Sequence, residues 1–150
     1  MTSRVPELID ALVARCTADE VLTDVMVTDG PEVGGAAADD WLLIGFDGNP
    51  DGAFEAAQTV GGWASLLTDR EEQLQVPVTA VATRGDTDVR AARVRAYQIG
   101  ARLEELLRAD PSLGLPSLEV AIEASQLVQD QTTDGIQARL VLTVAGRAFT

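Results

Sequence analysis

The stretch Gln75-Val-Pro-Val-Thr-Ala-Val-Ala-Thr-Arg84 leads directly into Gly85-Asp-Thr-Asp-Val89, and the chain then continues to Leu107 with apolar residues at helical spacing. Alternation of apolar and polar residues in the first part predicts a β-strand. The second part predicts a helix of about six turns with Asp86 or Thr87 as its N-cap. A strand that passes directly into a long amphipathic helix indicates a mixed α and β fold.

Before this stretch, the spacing i, i+3, i+4, i+7 predicts a first helix at about residues 4–17, capped by Ser3. Short strands are expected at 23–28 and at 41–46, the second buried on both faces. The apolar stripe of the first helix consists of Val5, Leu8, Ile9, Leu12, Val13 and Cys16.

Between these strands and Gln75, residues 56–67 are predicted to form a strand with a glycine bulge at Gly61-Gly62. The following Asp69-Arg70-Glu71-Glu72 reads as a charged hairpin tip. Pro77 lacks a backbone N–H, so the strand that contains it is expected at a sheet edge or at a local break.

The long helix is predicted to bury one apolar stripe, with Gly100 at a close crossing and Asp110-Pro111 ending the helix. Two alternating strands follow, joined by a turn at Asp134-Gly135. The expected stripe of the long helix is Val89, Ala92, Ala96, Ile99, Leu103, Leu106 and Leu107.

The predicted element order is α-β-β-β-β-α-β-β, without a repeat or an interdomain linker. We therefore expect a single α+β domain over residues 1–150, with a mainly antiparallel six-stranded sheet and two helices on one face.

Composition excludes several kinds of chemistry. The chain has a formal net charge of −13, with no histidine, and all eleven of its basic residues are arginine. Histidine-based acid–base catalysis, serine–histidine–aspartate triads, lysine Schiff bases and histidine-ligated zinc are thereby excluded within the chain. Cys16 is the only cysteine, so no internal disulfide can form. We expect no enzyme activity and no cofactor.

The charge is distributed unevenly. Residues 1–75 carry fifteen acidic residues and three arginines, whereas residues 76–150 carry nine and eight. Such a surface repels nucleic acid, which suits a protein that DNA must pass without sticking. No apolar run reaches the 18 or more residues of a membrane span, so no membrane association is expected.

Asp47-Gly48-Asn49-Pro50-Asp51-Gly52 matches the first half of a calcium-binding loop, in which oxygens at positions 1, 3 and 5 converge on the ion. The twelfth position should be glutamate and is Gln58. A turn between strands explains the same residues, so Asp47, Asn49 and Asp51 are only a weak calcium candidate. Asp86 and Asp88 are interpreted as acids at a helix N-terminus.

Other residues could contact a subunit or partner. Arginines along the long helix form either a solvated face or an interface that meets the acidic half of a neighbour. Trp63 belongs either to the core or to an apolar patch that a partner covers. The interface candidates are Asp47, Asp51, Trp63, Asp69, Arg70, Glu71, Arg90, Arg93, Arg95 and Arg102, with the loops 29–40 and 47–54 and the tip 68–73.

In the order and spacing of its motifs, nearly the whole chain resembles the tail terminator proteins of long-tailed phages, in the small form common among phages of actinobacteria. The segments that carry the resemblance are the helix Val5–Leu12, the loop Gly45–Gly52, Trp63 in the following strand, the helix start Gly85–Arg93, the helix end Leu106–Pro111 and the hairpin Gln129–Gly135.

This resemblance implies a structural virion protein that forms a ring, usually six-fold, at the head-proximal end of the tail tube. Such a ring stops tube polymerisation and provides the surface that docks to the head. Its expected partners are other copies of itself, the tail tube protein and head–tail connector proteins, with genome DNA passing through the lumen. The alternatives are another head–tail connector or tail-completion ring, or a small ligand- or calcium-binding domain.

Overall fold

A computed structural model describes residues 3–32, 38–49, 51–52, 55–63, 70–85 and 88–149, with the backbone alone at 62 and 63. The predicted element order is confirmed, and a short 3₁₀ turn, Glu20–Leu22, precedes the first strand. The elements are α1 (Val5–Ala18), β1 (Met26–Asp29), β2 (Asp40–Ile44), β3 (Gln58–Trp63), β4 (Arg70–Arg84), α2 (Val89–Ala109), β5 (Leu118–Thr132) and β6 (Gly135–Phe149).

One sheet contains all six strands, in the order β1-β2-β4-β6-β5, with β3 also paired to β4. β1 and β2 run parallel, and all other described pairs are antiparallel. β4 is the central strand. One of its sides pairs with β6 along almost its whole length, and its other side pairs first with β3 and then with β2.

Both helices pack on the same face of this sheet, as predicted. Alternate residues of β4 from Leu74 to Ala82 are fully or almost fully buried and belong to one cluster with Leu8 and Leu12 of α1 and Ile99 of α2. Cys16 is buried in the same cluster. Burial raises the pKa of the Cys16 thiol to about 12, which agrees with a packing role.

Pro77 lies in the central strand β4, which is continuous from Arg70 to Arg84, so the expectation of an edge position is wrong and the only break lies in the described pairing on one side of β4. β3 pairs with β4 as far as Gln75, and β2 takes over at Val78. The carbonyl of Pro77 accepts from the backbone N–H groups of Gly45 and Phe46, on the same side of β4. The missing N–H of Pro77 therefore falls in the gap between two partner strands, where no ladder bond is lost.

The predicted hairpin tip is also corrected. Arg70, Glu71 and Glu72 lie inside β4, in regular register with β3, and the described pairing contains no bulge at Gly61-Gly62. Glu72 is fully buried, and its Oε1 accepts from the backbone N–H of Arg4 at 2.8 Å. The buried carboxylate of Glu72 therefore holds the start of α1 against the sheet.

The beginning of α2 differs from the prediction by one or two residues. The N-cap is Asp88, whose side chain accepts from the backbone N–H of Ala91 at 3.1 Å. Asp86 and Thr87, the predicted caps, lie outside the described residues. Val89 was expected in the buried stripe but is exposed, because the buried face of α2 begins with Ala92. Asp110 ends the helix as predicted.

A second, smaller cluster lies on the other face of the sheet. Trp41, Leu43 and Val81 are buried there together with Phe46, which explains why β2 is buried on both faces, as predicted. Part of this face is covered by the chain that follows β2. Thr79 donates to the carbonyl of Phe46, and Arg139 donates to the carbonyl of Gly48 at 2.5 Å.

The predicted close crossing at Gly100 is confirmed and can be tested. A Cβ added at Gly100 would lie 2.9 Å from Cδ2 of Leu140 and 3.4 Å from Cδ1 of Leu142. Gly100→Val should lower the free energy of unfolding by about 1–3 kcal/mol, the usual cost of overpacking. Ala101→Val, at the exposed next position, is the matched control and should change it by less than about 0.5 kcal/mol. Equal free energies of unfolding for the two variants, measured in urea, would contradict the close approach of α2 to the sheet at Gly100.

Candidate interaction surface

Arginines of β4 and α2 converge on one buried carboxylate. Asp40 is 7% exposed and accepts from Arg84 at 2.7 and 3.1 Å and from the Nε of Arg95 at 2.8 Å. Arg95 also donates twice to Asp24. Burial by itself raises the pKa of Asp40, but the hydrogen bonds from the two guanidinium groups outweigh it, and the pKa lies below its ordinary value.

Two further ion pairs connect the N-terminal part of the chain to α2 and its end. Arg102 binds Asp19 through two hydrogen bonds of 2.8 and 2.7 Å. Arg15 binds Asp110 at 2.7 Å. The hydrogen bonds from Arg102 and Arg15 lower the pKa of Asp19 and Asp110 respectively.

These pairs change the interpretation of the predicted interface arginines. We expected the arginines of α2 either to form a solvated face or to meet the acidic half of a neighbour, but Arg95 and Arg102 bind acidic residues of their own chain. The sequence showed the surplus of acid in the first half; it did not show that Asp19, Asp24 and Asp40 lie within reach of the arginines of α2. Arg90 and Arg93 differ from these two, because Arg93 binds only Gln129 and Arg90 has no ion pair among the described residues.

Arg90 and Arg93 lie on the outward side of α2, next to the half-exposed side chains of Val94 and Tyr97. This surface combines two cations without acidic partners in the described chain with a small apolar patch. It is one part of α2 that is open to contact by a second molecule.

The loop predicted as a weak calcium candidate forms two consecutive turns. Oδ1 of Asp47 accepts from the backbone N–H of Asn49, and Oδ1 of Asn49 accepts from the backbone N–H of Asp51. Asp47 and Asn49 therefore direct side-chain oxygens at the backbone two residues on, which is the geometry of Asx turns, and Asp51 takes part through its backbone N–H. Gly48 packs closely on Thr79, because a Cβ there would lie 2.9 Å from the threonine methyl group.

The remaining predicted interface residues lie around the start of β4. Arg70 and Glu71 pair in register with Trp63 and Gly62 of β3, and Glu71 lies 3.7 Å from Arg147. Asp69 and the side chain of Trp63 lie outside the described part of the chain. A broad groove of about 1040 Å³ runs along this end of the sheet beside the last turn of α2.

Five acidic residues without ion pairs in the described part lie at the end of β1 or in the segments that follow β1 and β2. Asp29 ends β1, and the loops after β1 and β2 carry Glu32, Asp47, Asp51 and Glu55. β1 and β2 are parallel, so both loops leave from the same end. We call these five residues the acidic end. Most of it lies in the loops 29–40 and 47–54 that the sequence singled out.

The sequence did not predict which strands form free edges of the sheet, and two of these strands, β3 and β5, contain uncharged segments. β5 pairs only with β6, and β3 pairs only with β4, so each has one edge without a strand partner in the described chain. Gln58–Trp63 contains no charged residue, nor does Ala124–Gln129 in β5. Uncharged strands of this kind were visible in the sequence, but their place at the edges was not.

No helix in the described part of the chain is long and apolar enough to span a membrane. Nor do the described residues contain a group of three or more histidine, cysteine, aspartate or glutamate side chains that could hold a metal ion. No protein-family model matches the chain, and no curated protein shows significant similarity to it.

The ion pairs of Asp19, Asp40 and Asp110 should make the stability of the fold depend on pH. Asp19, Asp40 and Asp110 have pKa values below their ordinary value of 3.8. Their contribution to stability is therefore present above about pH 4 and is lost as the pH falls through the lowered pKa values.

Asp40→Asn should lower the free energy of unfolding at pH 7 by about 2–3 kcal/mol, because two guanidinium groups lose a charged acceptor. Asp24→Asn removes an exposed partner of Arg95 and should cost less than about 1 kcal/mol. The difference in free energy of unfolding between wild type and Asp40→Asn, measured by denaturant titration, should become smaller below pH 4. If this difference stays constant down to pH 2.5, the lowered pKa of Asp40 does not contribute to stability as inferred.

Proposed function

We propose that this protein is a structural component of a phage particle that forms a ring at the head-proximal end of the tail tube. In this role it stops polymerisation of the tube and provides the surface to which the filled head docks. Its binding partners are other copies of itself, the tube protein and the head–tail connector. It acts by assembly and not by catalysis.

The observation that carries the proposal is the order of elements in the α+β domain. Three motifs of the resemblance fall on elements or turns of the described chain: Val5–Leu12 lies in α1, the described part of Gly45–Gly52 lies after β2, and Gln129–Gly135 lies at the closed end of the β5–β6 hairpin. The order in which these motifs follow the elements supports the proposal.

The distribution of charge supports the same role. The acidic end presents five carboxylates without ion pairs among the described residues, whereas the acids near α2 are neutralised by arginines. Six copies of a chain with a net charge of −13 carry about −78. If the acidic end faces the lumen of a ring, it repels the phosphates of DNA and keeps the genome from adhering as it passes.

Deletion of the coding sequence from a phage that carries it tests the role directly. We expect tails that no longer join heads, with tubes of uncontrolled length, in electron micrographs. Complementation with the wild-type chain should restore joined particles. Normal particles from the deletion strain would overturn the proposal.

The position of the subunit in a reconstructed particle separates this function from that of a neighbouring connector. A terminator contacts the last ring of tube protein, whereas a connector contacts the head. Mass photometry of the purified protein adds an independent measurement, because a six-fold ring of a 15.8 kDa chain has a mass of about 95 kDa.

A further inference from the structure

β5 has an unusually long edge for a strand without a second partner. It spans fifteen residues, from Leu118 to Thr132. Natural proteins protect such edges with charge, proline, bulges or short length. Near its start β5 has a register shift between Ile122 and Ala124, and the backbone N–H of Val120 donates to Pro111. From Ala124 to Gln129 it has neither charge nor proline.

The register shows which backbone groups of β5 point away from the sheet. Phe149 donates from its backbone N–H to the carbonyl of Ser117, so the odd-numbered residues of β6 bond to β5. Ser125, Leu127 and Gln129 stand opposite the even-numbered Leu142, Leu140 and Ala138. Their N–H and C=O groups therefore point outward, and no backbone partner for them occurs among the described residues.

The other uncharged edge belongs to β3, on the opposite side of β4. The carbonyl of Pro77 points towards β2 and β3, so the odd-numbered residues of β4 bond to these strands. Thr59 and Gly61 stand opposite Leu74 and Glu72 and must point their backbone groups outward. Glycine inside a strand allows another backbone to approach closely. Val60 between them is 67% exposed.

We infer that the outer edge of β5 over Ala124–Gln129 pairs through backbone hydrogen bonds with the outer edge of β3 over Gln58–Gly62 in a second copy of this chain. Both segments lack charge, so no like charges oppose each other across the pairing. Outward-facing groups recur every second residue on both edges, so a ladder can form between them.

Symmetry favours β3 over β5 as the partner strand. Pairing of β5 with β5 of another copy is isologous and ends at a dimer, whereas pairing of two different edges is heterologous and can close into a ring. β1, a third edge, contains Asp29 and is only four residues long. The inference rests on the self-association in the proposed function, but not on the place of the ring in a particle.

Proline substitutions at outward-facing positions test the pairing, because proline removes one N–H that serves no ladder within the chain. Ser125→Pro and, independently, Gly61→Pro should shift the protein from its assembled mass to 15.8 kDa in sedimentation velocity at micromolar concentration. Ser125→Ala is the matched control and should assemble like the wild type. Far-ultraviolet circular dichroism and cooperative melting establish that each variant is folded.

Cross-linking identifies the partner strand. Ser125→Cys and Gly61→Cys proteins are mixed and treated with a short bifunctional thiol reagent; Cys16 is buried and should not react. We expect covalent dimers only when both variants are present. Dimers from Ser125→Cys alone would mean that β5 pairs with itself and would overturn β3 as the partner.

The edge pairing is overturned if a folded Ser125→Pro or Gly61→Pro protein assembles like the wild type, or if the wild type stays monomeric throughout the micromolar range. Failure of the edge pairing and failure of the terminator role can be told apart by these experiments. If the protein assembles through β3 and β5 but phage particles form normally without it, the edge pairing is correct and the terminator role is wrong.

Discussion

The central strand β4 is the constraint on which the rest of the structure depends. One of its faces supplies the apolar side chains against which both helices pack, and the other contributes to the smaller cluster around Trp41. Its two edges bind three strands, β6 on one side and β3 and β2 on the other. The change of partner at Pro77 lets one strand serve two neighbours, and it leaves β3 as a separate, uncharged edge.

Ion pairs connect α2 and β4 to the N-terminal part of the chain. Arginines of α2 and β4 bind aspartates from the residue after α1, from the segment before β1 and from the start of β2, so polar contacts as well as packing join these parts of the chain. Pairing within the chain neutralises acids near α2 and leaves the acidic end without arginine partners in the described residues. The acidic end therefore supplies five of the chain's twenty-four acidic residues.

Patterns within one element predicted most of the fold. The stripe of α1, the alternation in β4 and β6, and the close crossing at Gly100 follow from local spacing, and each is present. Contacts between distant residues could not be predicted in this way. Glu72 resembled a solvated charge because nothing nearby in sequence shows that α1 begins above it, and Arg95 resembled an interface residue because Asp40 lies fifty-five positions away.

The pairing of β4 with β6 has a consequence for biosynthesis. This ladder joins residues that are 52 to 78 positions apart, from Arg84 with Ile136 to Glu71 with Phe149, and α2 and β5 lie between them. Non-local pairing of this kind slows folding, since the intervening chain must be closed before the contacts form. The core of the sheet cannot be completed on the ribosome until β6 has emerged from the exit tunnel. Until then the edge of β4 that β6 will cover is open to misassociation, so the nascent chain is more prone to aggregation than the finished domain.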